Sequence, residues 1–340
     1  MMNIKKIVCC CTIMLLGISA CNDAAKRQQE DGIIYTVNGK IDTDELEFAL
    51  THEHLMSNFG MDIDSAFQYD EVALLNQVVP YVKEVKSSGV HSIFDCTTAY
   101  FGRRVDILKK ISDATGVQII TNTGFYGAAN DRYVPDFAFE ASAEEISKVW
   151  IKEFEEGIEG SGIKPGFIKL AFDGGDPSTI DKKLFLAGIL THKKTGLTIG
   201  VHTGNNPVAA AFQMDLLEQN NLSTCAWIWF HANWLEDTPI LLEAASRGAW
   251  ISLDGVKTTN IKEHIDRLKL FKSRDLLHRV LLSHDGDGYP MGGEIREFEA
   301  LQAALIPAML EDGFNQKDIN QLTIENPKEA FMIRVRQSNY

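Results

Sequence analysis

Eight short apolar runs recur along the chain, and patterns typical of helices separate them. The runs cover 48–51, 91–97, 117–123, 166–172, 197–202, 226–231, 249–254 and 280–285. The helical patterns cover 69–88, 103–115, 143–160, 181–195, 207–220, 237–247, 261–272 and 294–311. Strands that alternate with helices predict a parallel sheet, because parallel strands need a crossover connection. Eight such units in about 250 residues are typical of a closed barrel, so we expect an α/β fold, a (β/α)₈ TIM barrel.

An open, doubly wound sheet is the alternative arrangement for the same alternation. That fold would favour a glycine-rich dinucleotide-binding turn, which this sequence lacks. Ahead of the barrel, residues 33–37 and the following Asn38-Gly39 predict a strand and a turn. We interpret them as a short N-terminal β extension and expect residues 33–340 to form a single domain.

Polar residues suited to metal binding stand at the ends of five of these runs: His52, His54, Lys169, His202, His231 and Asp285. The carboxyl ends of barrel strands surround the active site. Residues two apart share one face of a strand, so His52 and His54 both point into the barrel mouth while Glu53 turns away. Such a set can hold two metal ions and predicts a hydrolase. The other histidines are expected outside the site: His192, His264 and His278 on helix surfaces, and His284 facing away from Asp285.

Lys169 needs its own explanation, because a free ammonium group would repel two metal ions. A lysine desolvated inside a barrel has a lowered pKa. Its neutral amine can react with carbon dioxide to give a carbamate, which is in effect a carboxylate that bridges two cations. The alternative is a lysine ion-paired with an acid at a strand end, and the surrounding histidines favour the carbamate.

The motifs that carry these residues resemble those of the phosphotriesterase family of the amidohydrolase superfamily. The landmarks are THEHL at 51–55, GIKPGFIK at 162–169, VHTG at 201–204, SHD at 283–285 and TIENP at 323–327, in the expected order and spacing. The resemblance, over about 37–331, implies two divalent ions, preferably zinc. It assigns His52, His54 and Asp285 to one ion and His202 and His231 to the other, with carboxylated Lys169 and a hydroxide as bridges. The hydroxide would attack an ester, lactone or phosphoester centre while Asp285 takes the proton.

Two departures from the family pattern affect the expected substrate. Family members with strong organophosphate activity carry an acid three residues after the strand-6 histidine and a histidine after the strand-7 aspartate. Here these positions hold Trp234 and Gly255, whereas Asp254 supplies the strand-7 aspartate. We therefore do not expect phosphotriesters as natural substrates. Three aromatic residues, Tyr100, Tyr126 and Trp234, are expected to line the substrate pocket, with simple aromatic packing at the barrel mouth as the alternative.

Two further functions fit the sequence. An amidase acting on small N-acylated compounds would need a cation for the acid end of its substrate, which Arg103 or Arg104 could supply, although both also fit the start of a helix. A non-catalytic surface lipoprotein that captures a ligand or metal is the third hypothesis. Loss of metal ligands would favour it, and all six are present.

The start of the chain resembles a bacterial lipoprotein signal. Lys5 and Lys6 precede an apolar run over 7–18, and Ser19-Ala20 stand before Cys21. This predicts a signal peptide over 1–20, lipid on the thiol of Cys21 and a polar tether over 21–32. The protein would then be exported and anchored to a membrane in the periplasm or at the cell surface. An ordinary secretory signal is the alternative.

Charge and cysteine usage limit the partners. The formal net charge is −14, which argues against nucleic acid as a partner. Past the signal, Cys96 and Cys225 are expected as core residues rather than as a disulfide. The expected partners are a small-molecule substrate and the membrane, reached through Cys21, and a homodimer is left open.

Overall fold

Strands and helices alternate from Gly32 onward in the order that the sequence pattern predicts. The computed structural model describes residues 32–59, 61, 69–291 and 293–338. In these residues the strands are β1 (Ile33–Thr36), β2 (Gly39–Asp42), β3 (Ala49–His54), β4 (Ser92–Asp95), β5 (Gln118–Ile120), β6 (Asn122–Thr123), β7 (Phe167–Ala171), β8 (Ile199–His202), β9 (Trp227–Phe230), β10 (Trp250–Leu253), β11 (Val280–Leu282) and β12 (Gly286–Asp287). The hairpin of β1 and β2 is antiparallel and forms the predicted extension.

The helices follow the strands and begin and end at residues with clear local preferences. They are α1 (Glu71–Ser87), α2 (Val105–Thr115), α3 (Asp136–Glu140), α4 (Ala143–Glu156), α5 (Thr179–Thr195), α6 (Pro207–Gln219), α7 (Thr238–Ser246), α8 (Ile261–Ser273), α9 (Ile306–Glu311), α10 (Gln316–Asn320) and α11 (Asn326–Phe331). Ser142 and Ser178 begin α4 and α5 with capping boxes, which satisfy backbone N–H groups that the helix leaves unpaired. Gly116 and Gly196 end α2 and α5 in the left-handed conformation.

Two parallel sheets join into a closed ring. The strand order is β12-β3-β4-β5 in one sheet and β6-β7-β8-β9-β10-β11 in the other, and every pairing is parallel. Only Thr121 separates β5 from β6, and only 283–285 separate β11 from β12. Each of these pairs is therefore one barrel strand that pairs with a different neighbour at each end. The ring has eight strand positions, which confirms the predicted α/β barrel.

Alternation along the strands divides the core into two layers. In β9, Trp227 and Trp229 belong to the large cluster that contains the apolar faces of the helices. Phe230, with side-chain direction opposite to theirs, belongs to a second cluster with Phe94 and Phe167. This inner cluster fills the barrel below the strand ends, so polar residues farther along the strands are held over a packed apolar floor.

Several predicted boundaries were wrong in ways that local geometry explains. The first barrel strand runs over Ala49–His54, so the two histidines of the first motif lie within it rather than after it. The helix predicted from 143 to 160 ends at Glu156, because Gly157 has a φ of 97°. The last predicted helix does not begin at 294; a π-helical turn over Leu301–Leu305 leads directly into α9.

Two histidines predicted at the surface are buried instead. His192 has no exposed surface and His264 has 2%, whereas His278 is exposed as expected. Cys96 and Cys225 are both free thiols; Cys96 is a buried core residue as predicted, whereas Cys225 is only partly buried. In the described part of the chain, no helix is long and apolar enough to cross a membrane. The predicted signal peptide and lipidated Cys21 lie outside the described residues.

Candidate metal centre and active site

The barrel gathers the six predicted polar residues into one cluster: His52, His54, Lys169, His202, His231 and Asp285. Lys169 lies in the middle of β7 rather than at the strand end that the sequence predicts. The ring centroid of His52 lies 5.7 Å from that of His54 and 4.7 Å from that of His231. The rings of His202 and His231 are 4.2 Å apart. Phe230 connects the set from below, because its ring lies 4.3 Å from His52 and 4.6 Å from the Nζ atom of Lys169.

A β-bulge in β3 decides where the first two histidines point. Ala49 packs in the inner cluster and Leu50 in the outer one, so strict alternation would turn His52 outward. The register of β3 against β4 shifts between Leu50 and Glu53, and a bulge of this kind moves the following side chains to the opposite face. His52 and His54 consequently face the barrel interior.

Glu53 turns away from the barrel mouth, as predicted, and ties β3 to the eighth strand position. Its carboxylate accepts hydrogen bonds from the hydroxyl of Ser283, from the backbone and Nδ1 of His284, and from the backbone of Gly286. The Nε2 atom of His284 accepts a hydrogen bond from the backbone of Leu301, so Nδ1 carries the proton. His284 therefore lies outside the cluster and helps to close the barrel.

The first group of atoms that could hold a metal ion comes from His52, His54 and Asp285, whose ligand atoms lie within 4.8 Å of one another. The Oδ1 atom of Asp285 is 3.3 Å from Nε2 of His54 and 3.6 Å from Nε2 of His52. The hydroxyl of Thr97 donates to the carbonyl of Met56 and therefore accepts from Nδ1 of His54, at 2.8 Å. This contact leaves Nε2 of His54 unprotonated, as a metal ligand must be.

The second such group consists of His52, His231 and Asp254. The carboxylate of Asp254 links the two histidines. Asp254 Oδ2 lies 2.7 Å from Nδ1 of His52, and both carboxylate oxygens accept from the backbone N–H of His231, at 3.0 and 2.9 Å. Burial lowers the pKa of His52 to about 3 despite the nearby Asp254 carboxylate. Burial acts to raise the pKa of Asp254, yet His231 and His52 hold it well below its usual range. Asp254 thus remains ionised and fixes a neutral His52 with its Nε2 atom directed toward Asp285.

Two of the cluster residues occupy backbone conformations that L-residues usually avoid. His231 has a φ of 59° and Asp285 a φ of 54°, and this left-handed region costs roughly 1–2 kcal/mol per residue. Hydrogen bonds hold both: His231 donates its N–H to Asp254, and Asp285 donates its N–H to the carbonyl of His52 at 3.0 Å. The strained turns at the strand ends direct both side chains into the cluster.

Lys169 is almost fully buried, with 1% exposure, and its Nζ atom has no hydrogen-bond partner in the described structure. Burial lowers its pKa, against the opposing effect of the Asp254 and Asp285 carboxylates. A buried polar group without a partner costs about 1–3 kcal/mol, and more when it is charged. A carboxylated lysine would replace that ammonium with two oxygens directed at the histidines. The donor set therefore fits a pair of bridged divalent ions.

Aromatic residues form the wall beside His202 and His231. The indole ring of Trp234 stacks on His231 at 4.4 Å and 13°, and meets the edge of His202 at 5.3 Å. The hydroxyl of Tyr126 lies 3.2 Å from Nδ1 of His202, which orients that imidazole. Both of these predicted pocket residues thus contact the cluster.

The third predicted pocket residue, Tyr100, lies elsewhere. Its ring packs against Phe125 at 5.8 Å. Its sequence neighbour Phe101 takes the expected place, stacked on Tyr126 at 4.9 Å and edge-on to His54 at 5.5 Å. The two residues belong to one 3-10 turn, where adjacent side chains diverge by about a third of a revolution, so the sequence could not distinguish them.

The two arginines considered for an anionic substrate do not reach the pocket. Arg103 is buried and donates hydrogen bonds to the carbonyl of Asn122 and the carboxylates of Glu153 and Glu159. Arg104 pairs with Asp106 at 2.7 Å. Their role is therefore structural, at the beginning of α2.

Comparison with known proteins agrees with this geometry. Residues 32–331 match the model of the phosphotriesterase family. The chain belongs to the phosphotriesterase family. The phosphotriesterase homology protein of Escherichia coli is 25% identical over 304 residues, which are 85% of this chain and 99% of that protein. The N-acetyltaurine hydrolase of Xenopus tropicalis is 24% identical over 351 residues, with 88% of this chain and 97% of that protein covered.

Solved structures agree on the fold of this phosphotriesterase-family protein. The organophosphorus hydrolase from Deinococcus radiodurans superposes with a TM-score of 0.78 at 24% identity, over 88% of this chain and 96% of the other. The family is hydrolytic, so the chain is a hydrolase of that family. The bond that it cleaves is a separate question, which depends on the pocket.

The structure shows what occupies the two positions that depart from the family pattern. A Cβ atom on Gly255 would lie 2.4 Å from the Nδ2 atom of Asn233, so a larger residue there would displace Asn233. Asn233 in turn accepts the backbone N–H of Asp254 at 3.2 Å. On the other side, a Cβ atom on Gly204 would lie 2.9 Å from Trp234, so this glycine makes room for the indole. The pocket is therefore packed around the apolar surface of Trp234 on one side and around Asn233 on the other.

Proposed function

We propose that this phosphotriesterase-family protein is a binuclear, zinc-dependent hydrolase of carboxylic esters, including lactones. The observation that carries the proposal is the buried Nζ atom of Lys169, which has no hydrogen-bond partner in the described structure. An ammonium group in that place, beside His52 and His202 whose pKa values burial lowers, has no hydrogen-bonding role. A carbamate formed from the neutral amine and carbon dioxide, with loss of one proton, gives it one.

In this proposal each residue of the cluster has a defined part. His52, His54 and Asp285 would hold one ion, His202 and His231 the other, and carboxylated Lys169 would bridge them. Bound divalent ions supply a Lewis acid and lower the pKa of water, so that a nucleophile is available at neutral pH. Asp254 keeps His52 and His231 oriented, and Tyr126 does the same for His202.

Asp285 is the proposed proton acceptor. Burial opposes its ionisation, but the close contact with His54 and the other neighbouring histidines hold its pKa below the usual range. Its Oδ1 atom faces His54, whereas Oδ2 faces Arg296 and the cavity. The Oδ2 atom is thus the position at which a proton from the attacking water would be held.

The pocket wall supports carboxylic esters over phosphotriesters. Trp234 is 47% exposed and presents an apolar surface above His202 and His231. Neither Trp234 nor Gly255 has a side chain that could accept or release a proton near neutral pH. A planar, apolar acyl or lactone ring can stack on the indole, while proton removal is left to Asp285.

An amidase for small N-acylated compounds is the second proposal, because one similar protein is named N-acetyltaurine hydrolase. The cation that such a substrate needs cannot come from Arg103, which is buried among carboxylates. Esters and amides of the same acid would distinguish the two activities.

The test is a hydrolysis screen of the purified protein, reconstituted with zinc and bicarbonate, against aryl esters, lactones, N-acyl amino acids and phosphotriesters. We expect about two zinc ions per chain and turnover of esters or lactones above the other classes. Lys169→Ala is the matched variant: it should lose most activity and metal, and acetate or propionate should restore part of both, whereas an amine should not. Two bound zinc ions and wild-type turnover in Lys169→Ala would refute the bridge.

We further propose that the protein is an exported lipoprotein, anchored to a membrane through Cys21, in the periplasm or at the cell surface. The support is the basic start, the apolar run over 7–18 and Ser19-Ala20 ahead of the cysteine. The polar residues that follow Cys21 are suited to a tether between the lipid and the barrel.

A further inference from the structure

We propose that Arg296 recognises an anionic group, a carboxylate in the first instance, on the substrate that this site hydrolyses. The inference rests on the proposed hydrolase function and adds the substrate class to it. Arg296 follows the eighth strand position and is not part of the motifs that identify the metal cluster.

The location of Arg296 is the first argument. A cavity of about 860 Å³ opens beside the cluster, and its lining includes Trp234, Asp254, Asp285 and Arg296. The Nη1 atom of Arg296 lies 3.8 Å from Oδ2 of Asp285, and its side chain is 47% exposed. The guanidinium is thus next to the proposed reacting centre and open to a ligand.

The backbone of Arg296 is fixed, although the residue belongs to a loop. Its N–H donates to the carbonyl of Asp287 at 3.0 Å, and the N–H of Asp287 donates back to its carbonyl at 2.8 Å. This antiparallel bridge attaches Arg296 to β12, which itself pairs with β3 through His54. The backbone that carries the guanidinium is therefore fixed relative to the cluster, as a recognition residue requires.

The guanidinium has donors to spare. It carries five N–H donors, and among the described residues the one carboxylate within 4 Å of it is that of Asp285, at a distance longer than a hydrogen bond. Binding of Asp285 to a metal ion would weaken even that attraction. A planar carboxylate can accept two parallel hydrogen bonds from a guanidinium, which makes it the natural partner.

Electrostatics gives a reason for an anion in this position. A carboxylate that enters with the substrate would lessen the repulsion between this permanent cation and two divalent ions. Lys257 lines the same cavity and is exposed, while three further carboxylates line it as well, those of Glu263, Glu297 and Glu299. The charge of the wall as a whole is therefore mixed, and only the position of Arg296 beside Asp285 favours an anion near the scissile bond.

The experiment compares two aryl esters with the same leaving group, the monoester of glutaric acid and the ester of pentanoic acid. They differ only in a terminal carboxylate. For the zinc-loaded wild-type protein, kcat/KM for the glutarate ester should exceed that for the pentanoate ester by about tenfold, the size of one charge-assisted hydrogen bond in partly exposed surroundings. Arg296→Gln should remove that preference and change kcat/KM for the pentanoate ester by less than about threefold. The preference should also decline as salt is raised from about 20 to 500 mM.

Arg274→Gln is the matched control. It removes the same charge at an exposed arginine just past the C-terminal end of α8, which does not line the cavity. It should leave kcat/KM for both esters unchanged. An equal loss on both esters in Arg296→Gln would overturn the proposal, because Arg296 would then support the site rather than select the substrate. A wild-type protein that cleaves both esters equally would overturn it as well and leave the hydrolase function intact.

Failure of the hydrolase function itself gives a different result, namely no turnover of either ester or of the wider screen. In that case the proposal is decided by calorimetric binding of glutarate and pentanoate to the zinc-loaded protein. Tighter binding of glutarate that is lost in Arg296→Gln but kept in Arg274→Gln would support anion recognition. Equal binding of the two acids by the wild-type protein would refute it.

Discussion

Replacement of Lys169 by methionine should make the metal-free protein more stable while it abolishes the metal centre. Methionine has nearly the same length and no charge, so it can fill the space of the lysine stem between Phe230 and Tyr126. The wild-type side chain is buried with no hydrogen-bond partner in the described structure. A residue kept for function at a cost in stability should show this opposition of effects.

The expected magnitude follows from the balance around the Nζ atom. Desolvation of an ammonium costs several kcal/mol, and contact with the face of Phe230 at 4.6 Å returns about 0.5–2 kcal/mol. The carboxylates of Asp254 and Asp285 also attract it, yet burial prevails, because the pKa of Lys169 is lowered. Lys169→Met should therefore stabilise the metal-free fold by about 1–3 kcal/mol, which corresponds to a rise in Tm of roughly 2–6 °C for a domain of this size.

The assay is thermal unfolding over a range of pH, in a buffer that contains a chelator and no bicarbonate. Between the lowered pKa of folded Lys169 and its ordinary value of 10.5, the unfolded chain binds more protons than the folded one. Wild-type stability therefore rises with pH in this interval, and the advantage of Lys169→Met should shrink toward its upper end. Added zinc and bicarbonate should raise the Tm of the wild-type protein alone.

Lys164→Met is the matched control. Lys164 also lies over two aromatic rings, those of Tyr35 and Phe154 at 5.2 and 5.5 Å, but it is only partly buried and remote from the cluster. Its replacement should not raise Tm and should leave the response to zinc unchanged. A lower Tm for metal-free Lys169→Met, together with a normal response to zinc, would show that Lys169 is an ordinary structural residue.

Three further outcomes are expected. Asp254→Asn should lower zinc content and activity about 10- to 100-fold, because the amide has no charge and its NH2 group would face the N–H and Nδ1 of His231, where Asp254 now offers a second acceptor oxygen; metal analysis that gives two tightly bound ions would contradict this. Buried His192 has its pKa lowered to about 4, so the folded state binds fewer protons than the unfolded one between pH 4 and 6.5, and stability should be lost as pH falls through that window. His192→Leu should be less stable at pH 7 but should lack this acid-dependent loss in urea titrations. Cys21→Ser should move the protein from the membrane to the soluble exported fraction, and unchanged membrane association in cell fractionation would argue against the lipid anchor.

The sequence was sufficient for the fold and for the composition of the cluster. The alternation of eight apolar runs with helical patterns reports burial directly, since a strand covered on both faces must be apolar and a covering helix must repeat at 3.6 residues. In a barrel, the polar residue that ends such a run can only lie at the mouth. For that reason the sequence alone places His202 and His231, which are distant from His52 in sequence, in one site with it.

The tertiary structure decided what local pattern leaves undetermined. The bulge in β3 brings His52 to the inner face against the alternation set by Ala49 and Leu50, and only the pairing with β4 reveals it. The turn over Ala99–Phe101 presents Phe101 rather than Tyr100. Polar residues such as His192 are buried because partners far away in sequence satisfy them, in this case the backbone of Arg336.

Sequence by itself therefore determined the architecture and the polar residues that meet in the cluster, because both follow from periodicity and from the position of residues along a strand. The contacts of individual side chains depend on packing between elements that are remote in sequence. Arg296 shows the difference: in sequence it is one charged residue in a loop after the last strand, and its antiparallel bridge to Asp287 is what places it 3.8 Å from Asp285. No local pattern encodes that distance, because it arises only when the eighth strand position closes the barrel against β3.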